Sequence, residues 1–315
     1  MKASASVQPA YLIDASIYIF QAHFSPYIDY RDSHGEDLSA LSGFIRFLLR
    51  FLRRENPAEL AVAHDMSLFS GFRHGLCASY KSNRELPDAN LAHQLKGCVQ
   101  VCGLLGLPAF ASRRFEADDI IGVISKRLRH AQPGKPINII SRDKDLAQLL
   151  VGKHDLLWDY QKNSKRGRTD IEDELGVSPE QIPDYLGLVG DAVDRISGVP
   201  GIGPVAARRL LQEWPTMEII YENLTQVAEL PLRGAAGLAQ RLGTHRDKAE
   251  LSKLLATIVV DVEDSAESFS LCDVGVLARQ NLDLERLRSF LSEFAFTDAD
   301  SAQLLNSAEA LANRD

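Results

Sequence analysis

Acidic residues recur in this chain at positions from which separate carboxylates can meet. Asp14 closes the apolar run Ala10-Tyr-Leu-Ile-Asp14, Asp65 closes Leu60-Ala-Val-Ala-His-Asp65, and Asp143 closes Ile137-Asn-Ile-Ile-Ser-Arg-Asp143. Glu116, Asp118 and Asp119 stand within four residues just ahead of an apolar helical stretch, and Asp143 and Asp145 are two apart. Asp191 and Asp194 are three apart, a spacing that puts both on one helical face. Any single Asp is better explained as a turn or cap residue, and acids ahead of a helix suit its dipole. Three acids at the ends of separate strands reverse that balance, and together the candidates number nine. Like charges about 4 Å apart cost roughly 4 kcal/mol at an effective dielectric near 20, so such a cluster needs cations. Hard divalent cations take oxygen ligands. Two of them about 4 Å apart can activate a water and stabilise the departing oxygen of a phosphodiester, the chemistry of many nucleases.

The elements that must position these acids follow from the apolar pattern. The three runs ending in Asp read as buried strands. Between them Leu38, Leu41, Phe44, Ile45, Leu48, Leu49 and Leu52, and then Ile120, Ile121, Ile124 and Leu128, recur at helical spacing. Strand, helix, strand order implies a largely parallel sheet, and the carboxyl edge of such a sheet is where ligands bind. From about Asp170 helices and turns take over, including 172–175, Ser178-Pro-Glu-Gln and the Gly-rich stretch 198–204. Only Ile258-Val-Val-Asp-Val262 still reads as a strand, and the basic, polar stretch 161–168 separates the halves as a linker or surface loop.

A chain of 315 residues with 45% hydrophobic and 25% charged residues can bury a sizeable core. Its formal charge of −8 argues against a generic nucleic-acid coat. The objection weakens if the excess acid is gathered in a metal centre. Residues 1–9 lack the apolar stretch of a secretory signal, and no run approaches a membrane span, so a cytoplasmic protein is expected. Cys77, Cys98, Cys102 and Cys272 include no Cys-x-x-Cys pair. Free, reduced thiols are expected.

Taken in order, Asp14 in Leu-Ile-Asp, Tyr80-Lys81-x-x-Arg84, Glu116-Ala-Asp-Asp119, Asp143-Lys-Asp145 and Gly190-Asp-x-x-Asp194, followed by the Gly-rich turn, resemble the bacterial 5′-nuclease, or flap endonuclease, family. The resemblance extends to Leu284-Glu-Arg-Leu-Arg-Ser-Phe-Leu and suggests a stand-alone member. It implies an α/β fold with a mostly parallel central sheet flanked by helices, a PIN-like nuclease core. On this view 10–169 form the core, with 66–96 as a mobile helical arch, and 170–300 form a helical DNA-binding region with a helix-hairpin-helix element around 186–214. Asp14, Asp65 and Asp118 would hold one divalent cation, Mg²⁺ or Mn²⁺, while Asp143, Asp145 and Asp191 would hold or approach a second. Glu116, Asp119 and Asp194 would orient ligands or bind through water. In the arch, Lys81 and Arg84 would contact the scissile phosphate and Tyr80 would offer a stacking surface. Gly198, Val199, Gly201, Ile202 and Gly203 would cradle a duplex phosphate through backbone N–H groups. K⁺ commonly binds there in this family, and Arg208 and Arg209 are candidate phosphate contacts. A monomer acting on 5′-flap or branched DNA in replication or repair is implied.

Gln21, Arg142, Arg195 and Ser197 depart from the family pattern, where Arg, Gly, Asn and Pro are usual. Arg142 either turns outward or, if it reaches Asp145, competes with the second cation. A PIN-like ribonuclease and a catalytically impaired DNA-binding homologue are the alternatives. The arch residues and Gly-rich turn speak against the first, and the intact acids against the second.

Overall fold

Strand β1 (Ala10–Asp14) is buried along its length, with Ala10 and Leu12 facing one hydrophobic layer and Tyr11 and Ile13 the other, as a period of two requires. The computed structural model describes residues 8–313 except 68, 232, 233 and 272. Helices α1 (Ala15–His23) and α2 (Ser39–Glu55) lead to β2 (Leu60–Asp65), and α3 (Phe72–Leu76) and α4 (Ala89–Leu104) lead to β3 (Ala109–Ser112). Next come α5 (Ala117–Ala131), β4 (Ile137–Ile140), and a closing hairpin of β5 (Leu156–Asp159) and β6 (Ser164–Arg166). The sheet order is β3-β2-β1-β4-β5-β6, parallel throughout except for β5–β6. The chain winds outward from β1 to β3 and then returns to place β4 on the other side of β1. That reversal leaves a crevice beyond the carboxyl ends of β1 and β4. The mostly parallel α/β sheet read from the sequence is thus the one observed.

Helix α6 (Arg168–Leu175) spans the expected 169/170 boundary and ends at left-handed Gly176. The remaining helices are α7 (Ile182–Val189), α8 (Pro204–Glu213), α9 (Met217–Glu222), α10 (Leu224–Glu229), α11 (Ala235–Thr244), α12 (Arg246–Ala256), α13 (Leu284–Glu293) and α14 (Asp298–Ala312). Side chains of α5, α7, α8 and α12 share one hydrophobic layer with the sheet, so the helical part is built onto the α/β core. Helices α13 and α14 return to the opposite layer and pack on α4 and α2.

Two readings need correction. Residues 258–262 form no strand; the N–H of Ile258 donates to Gln148 Oε1 and that of Val259 to Asp119 Oδ1, both at 2.9 Å. Gly122 lets this segment approach, since a Cβ there would lie 2.7 Å from the Val259 carbonyl oxygen. The polar stretch 161–168 is more than a loop, because it contains the edge strand β6. Cys77, Cys98 and Cys102 are free, while Cys272 lies outside the described residues. Among those residues no helix is long and apolar enough to cross a membrane.

Candidate metal centre

The carboxyl ends of three parallel strands bring the first acids together. Asp14 caps α1, accepting from the Ser16 N–H at 3.2 Å and from the Ser141 hydroxyl at 2.9 Å, so one bond spans the crevice from β1 to the turn after β4. Strand β4 stops at Ile140, earlier than the apolar run to Asp143 suggests, and the chain bends at Arg142. The Asp143 N–H donates to the Ser141 Oγ at 3.0 Å, and Asp143 Oδ1 accepts from the Asp145 N–H at 2.9 Å. Asp65 closes β2 and accepts from the Ser67 N–H and hydroxyl at 2.9 and 2.7 Å. Glu116 caps α5 and places Asp118 in its first turn.

The nine acids divide by their partners. Lys81 Nζ lies 2.9 Å from Glu116 and 3.6 Å from Asp194, Arg84 lies 2.9 Å from Asp194, Lys144 lies 3.2 Å from Asp191, and Arg73 holds Asp119 at 2.7 Å. Among the described residues Asp14, Asp65, Asp118, Asp143 and Asp145 form no ion pair. Burial lifts the Asp14 carboxyl to about 7, with Asp143 adding to the effect and the Ser141 hydrogen bond opposing it. Burial and then Asp143 lift Asp145 to about 7 as well. Asp118 is pushed well above the usual range by burial, Asp143 and Asp14, while burial raises Asp65 and Asp143. Glu116 moves the opposite way: its burial is outweighed by Lys81 and Arg73, which hold it low. The unpaired acids therefore resist ionising together, the situation that bound cations relieve. Among the described residues no three such side chains are gathered tightly enough, as placed, to hold an ion.

Several expected roles change with the geometry. Asp119 is fully buried, and its two oxygens accept from Arg73 and from the N–H groups of Glu116 and Val259, which leaves no direction for a metal. Asp191 and Asp194 share no helical face; α7 ends at Val189, Gly190 takes a φ of 77°, and Asp191 and Ile196 pair across a tight turn. Tyr80 offers no stacking surface in this conformation, being 2% exposed with its hydroxyl donating to Glu116 at 3.0 Å. The segment expected as the arch comprises α3, turns and the start of α4, and its residues Lys81 to Arg84 lie against Val193 and Asp194. Leu68 within it lies outside the described residues.

The Gly-rich turn joins α7 to α8. A Cβ on Gly198 would lie 2.4 Å from the Gly190 nitrogen, so only glycine permits this crossing. Gly201 and Gly203 are exposed, whereas Val199 and Ile202 anchor the turn in the core. Arg208 turns back to donate to the Leu175 carbonyl at 2.6 Å, and Arg209 pairs with Glu213. Of the departures, Arg142 reaches Asp159 at 3.4 Å rather than Asp145, and Gln21 bonds Gln161.

Two residues escaped the sequence reading. Arg73 is 3% exposed and also donates to the carbonyls of Leu255 and Thr257 at 2.9 and 2.8 Å, tying α3 to α5 and to the end of α12. The exposed Arg241 lies over the hairpin, its Cδ 3.2 Å from where a Cβ of Gly201 would be. Neither carries a periodic or motif signal.

Residues 9–176 match the family model of the 5′-3′ exonuclease N-terminal resolvase-like domain, and 177–274 that of the 5′-3′ exonuclease C-terminal SAM fold. The chain is 37% identical over 264 residues to DNA polymerase I of Pseudomonas aeruginosa, an alignment covering 83% of this chain and 28% of the polymerase. The chain thus spans little more than a quarter of that relative. It is 30% identical over 257 residues to a 5′-3′ exonuclease of Buchnera aphidicola, covering 81% and 87% of the two chains. Its fold is similar to that of the bacteriophage T5 flap endonuclease, described as a pseudo-enzyme–product complex with DNA and metal ions, with a TM-score of 0.62, 18% identity and coverage of 96% and 99%.

Proposed function

Because the chain belongs to the 5′-3′ exonuclease family, we propose that it is a metal-dependent 5′-nuclease hydrolysing phosphodiester bonds of 5′-flap, branched or 5′-ended DNA. The observation that carries this reading is the set of five carboxylates at the crevice between β1 and β4 that have no cation partner among the described residues. Asp145 adds a buried oxygen, Oδ1, with no hydrogen-bond partner, and carboxylate oxygens are the donors that Mg²⁺ or Mn²⁺ takes. Asp14, Asp65 and Asp118 would hold one ion, and Asp143 and Asp145 a second, with Asp191 joining once Lys144 leaves it. Asp118 and Asp143 are only partly buried. When bound, two such ions supply an activated water and stabilise the leaving oxygen. Glu116 and Asp194 are assigned to the cations of the arch.

The chain's own cations complete the site. Arg84 is half exposed and Lys81 is buried on Glu116, so a substrate phosphate entering here would take over their ion pairs. The backbone N–H groups of the hairpin would cradle a duplex phosphate, with K⁺ as the cation proposed at that turn and Arg209 and Arg241 beside it. The chain is taken to act as a monomer in replication or repair. Cleavage of a labelled 5′-flap duplex, compared with matched linear single and double strands in Mg²⁺, tests the reading. Preference for the flap is expected, and turnover that persists in EDTA would remove the metal chemistry.

A further inference from the structure

Residues 191–196 form a tight turn braced from within. The backbones of Asp191 and Ile196 exchange hydrogen bonds of 2.8 and 2.7 Å, Asp191 Oδ1 accepts from the Val193 N–H at 2.7 Å, and the turn is seated on the close crossing of Gly190 and Gly198. Its far side meets the arch. The Lys81 N–H donates to the Asp194 carbonyl at 3.0 Å, Asn83 Nδ2 to the Val193 carbonyl at 3.2 Å, and Arg84 to the Asp194 carboxylate at 2.9 Å. Two non-glycine residues in the left-handed region, Lys81 with a φ of 49° and Arg195 with a φ of 56°, flank the contact. Such backbones persist only where surrounding bonds over-determine them.

We infer that 191–196 is a strut linking the hairpin to the arch, and that Asn83, through the Val193 carbonyl, is a positioning residue setting Lys81 and Arg84 over the crevice. The inference rests on the proposal that Lys81 and Arg84 act on the substrate phosphate. Asn83 is exposed and touches none of the five unpaired acids, so its role is separable from metal binding. Asn83→Asp keeps the shape but replaces the donor with a second acceptor, and one net hydrogen bond corresponds to about fivefold in an equilibrium.

The test uses the full chain with two readouts. Trypsin nicking after Lys81 and Arg84 reports how often the arch leaves the strut, and steady-state flap cleavage separates kcat from KM. In Asn83→Asp nicking should rise and kcat should fall, the two factors together multiplying to about fivefold, with affinity for plain duplex DNA unchanged within about twofold. Asn83→Gln, which retains a donor, should recover at least half of each effect. Unchanged nicking in Asn83→Asp, or a matching loss of plain-duplex affinity, would overturn the inference. If wild-type protein fails to cleave flaps, the nuclease reading falls while the nicking comparison still decides the strut.

Discussion

Replacing Asp14 by Asn should stabilise the metal-free protein at neutral pH while abolishing its chemistry. Asp14 is 4% exposed, and its carboxyl is lifted by burial from 3.8 to about 7. The folded protein therefore holds this proton more tightly than the unfolded chain does. Below about pH 4 both states are protonated and nothing is lost. As pH rises towards 7 the unfolded chain ionises freely while the folded one resists, so stability falls across that window. At about 1.4 kcal/mol per pKa unit, the cost above pH 7 has a ceiling of about 4 kcal/mol. Asn has nearly the same volume, caps a helix equally well and never ionises. In EDTA at pH 7.5 the midpoint of thermal unfolding of Asp14→Asn should exceed that of wild type by up to about 6 °C. At pH 4.5 the difference should shrink to about 2 °C or less. Saturating Mg²⁺ should raise the wild-type midpoint more than that of the variant. A variant no more stable than wild type at pH 7.5, or a gain independent of pH, would refute the claim that Asp14 carries an uncompensated charge.

Three further outcomes follow from the same geometry. Arg73→Met should cost about 3–5 kcal/mol, because it strands the buried Asp119 carboxylate; in urea unfolding the double variant with Asp119→Leu should recover over half of that, and no recovery would mean packing alone is at stake. Lys81→Ala should lower kcat for flap cleavage by roughly tenfold to a thousandfold with KM little changed, and a change confined to KM would make it a plain phosphate contact. Arg142→Gly should leave the Mg²⁺ midpoint for cleavage within about twofold, since its guanidinium rests on Asp159 rather than on a cluster acid. A fivefold shift would place Arg142 back in the metal centre.

Asp14, Asp65 and Asp143 were legible because each closes an apolar run, and such runs at a parallel sheet's edge leave few places for the terminal carboxylate to go, while Asp118 and Asp145 showed only as acids beside a helix start and beside Asp143. Helices α2 and α5 were legible from their apolar spacing. Strands β3, β5 and β6, at four, four and three residues, are too short to display a period. The spacing of Asp191 and Asp194 suits a helix or a tight turn equally, and what decides between them is the positive φ at Gly190. Arg73 was invisible for a different reason: its partners lie up to 184 positions away, and a lone Arg in a five-residue helix carries no local signal of burial. The division of the acids into paired and unpaired sets likewise depends on which cations the fold returns to the site.

The central claim is that the unpaired carboxylates at the crevice hold the cations needed to cut DNA. It is tested most directly by comparing wild type with Asp143→Ala on one labelled 5′-flap duplex in Mg²⁺, measuring bound DNA and cleaved product in the same samples. Full binding with nearly all cleavage lost in Asp143→Ala is the predicted result, and wild-type cleavage by that variant would contradict the account.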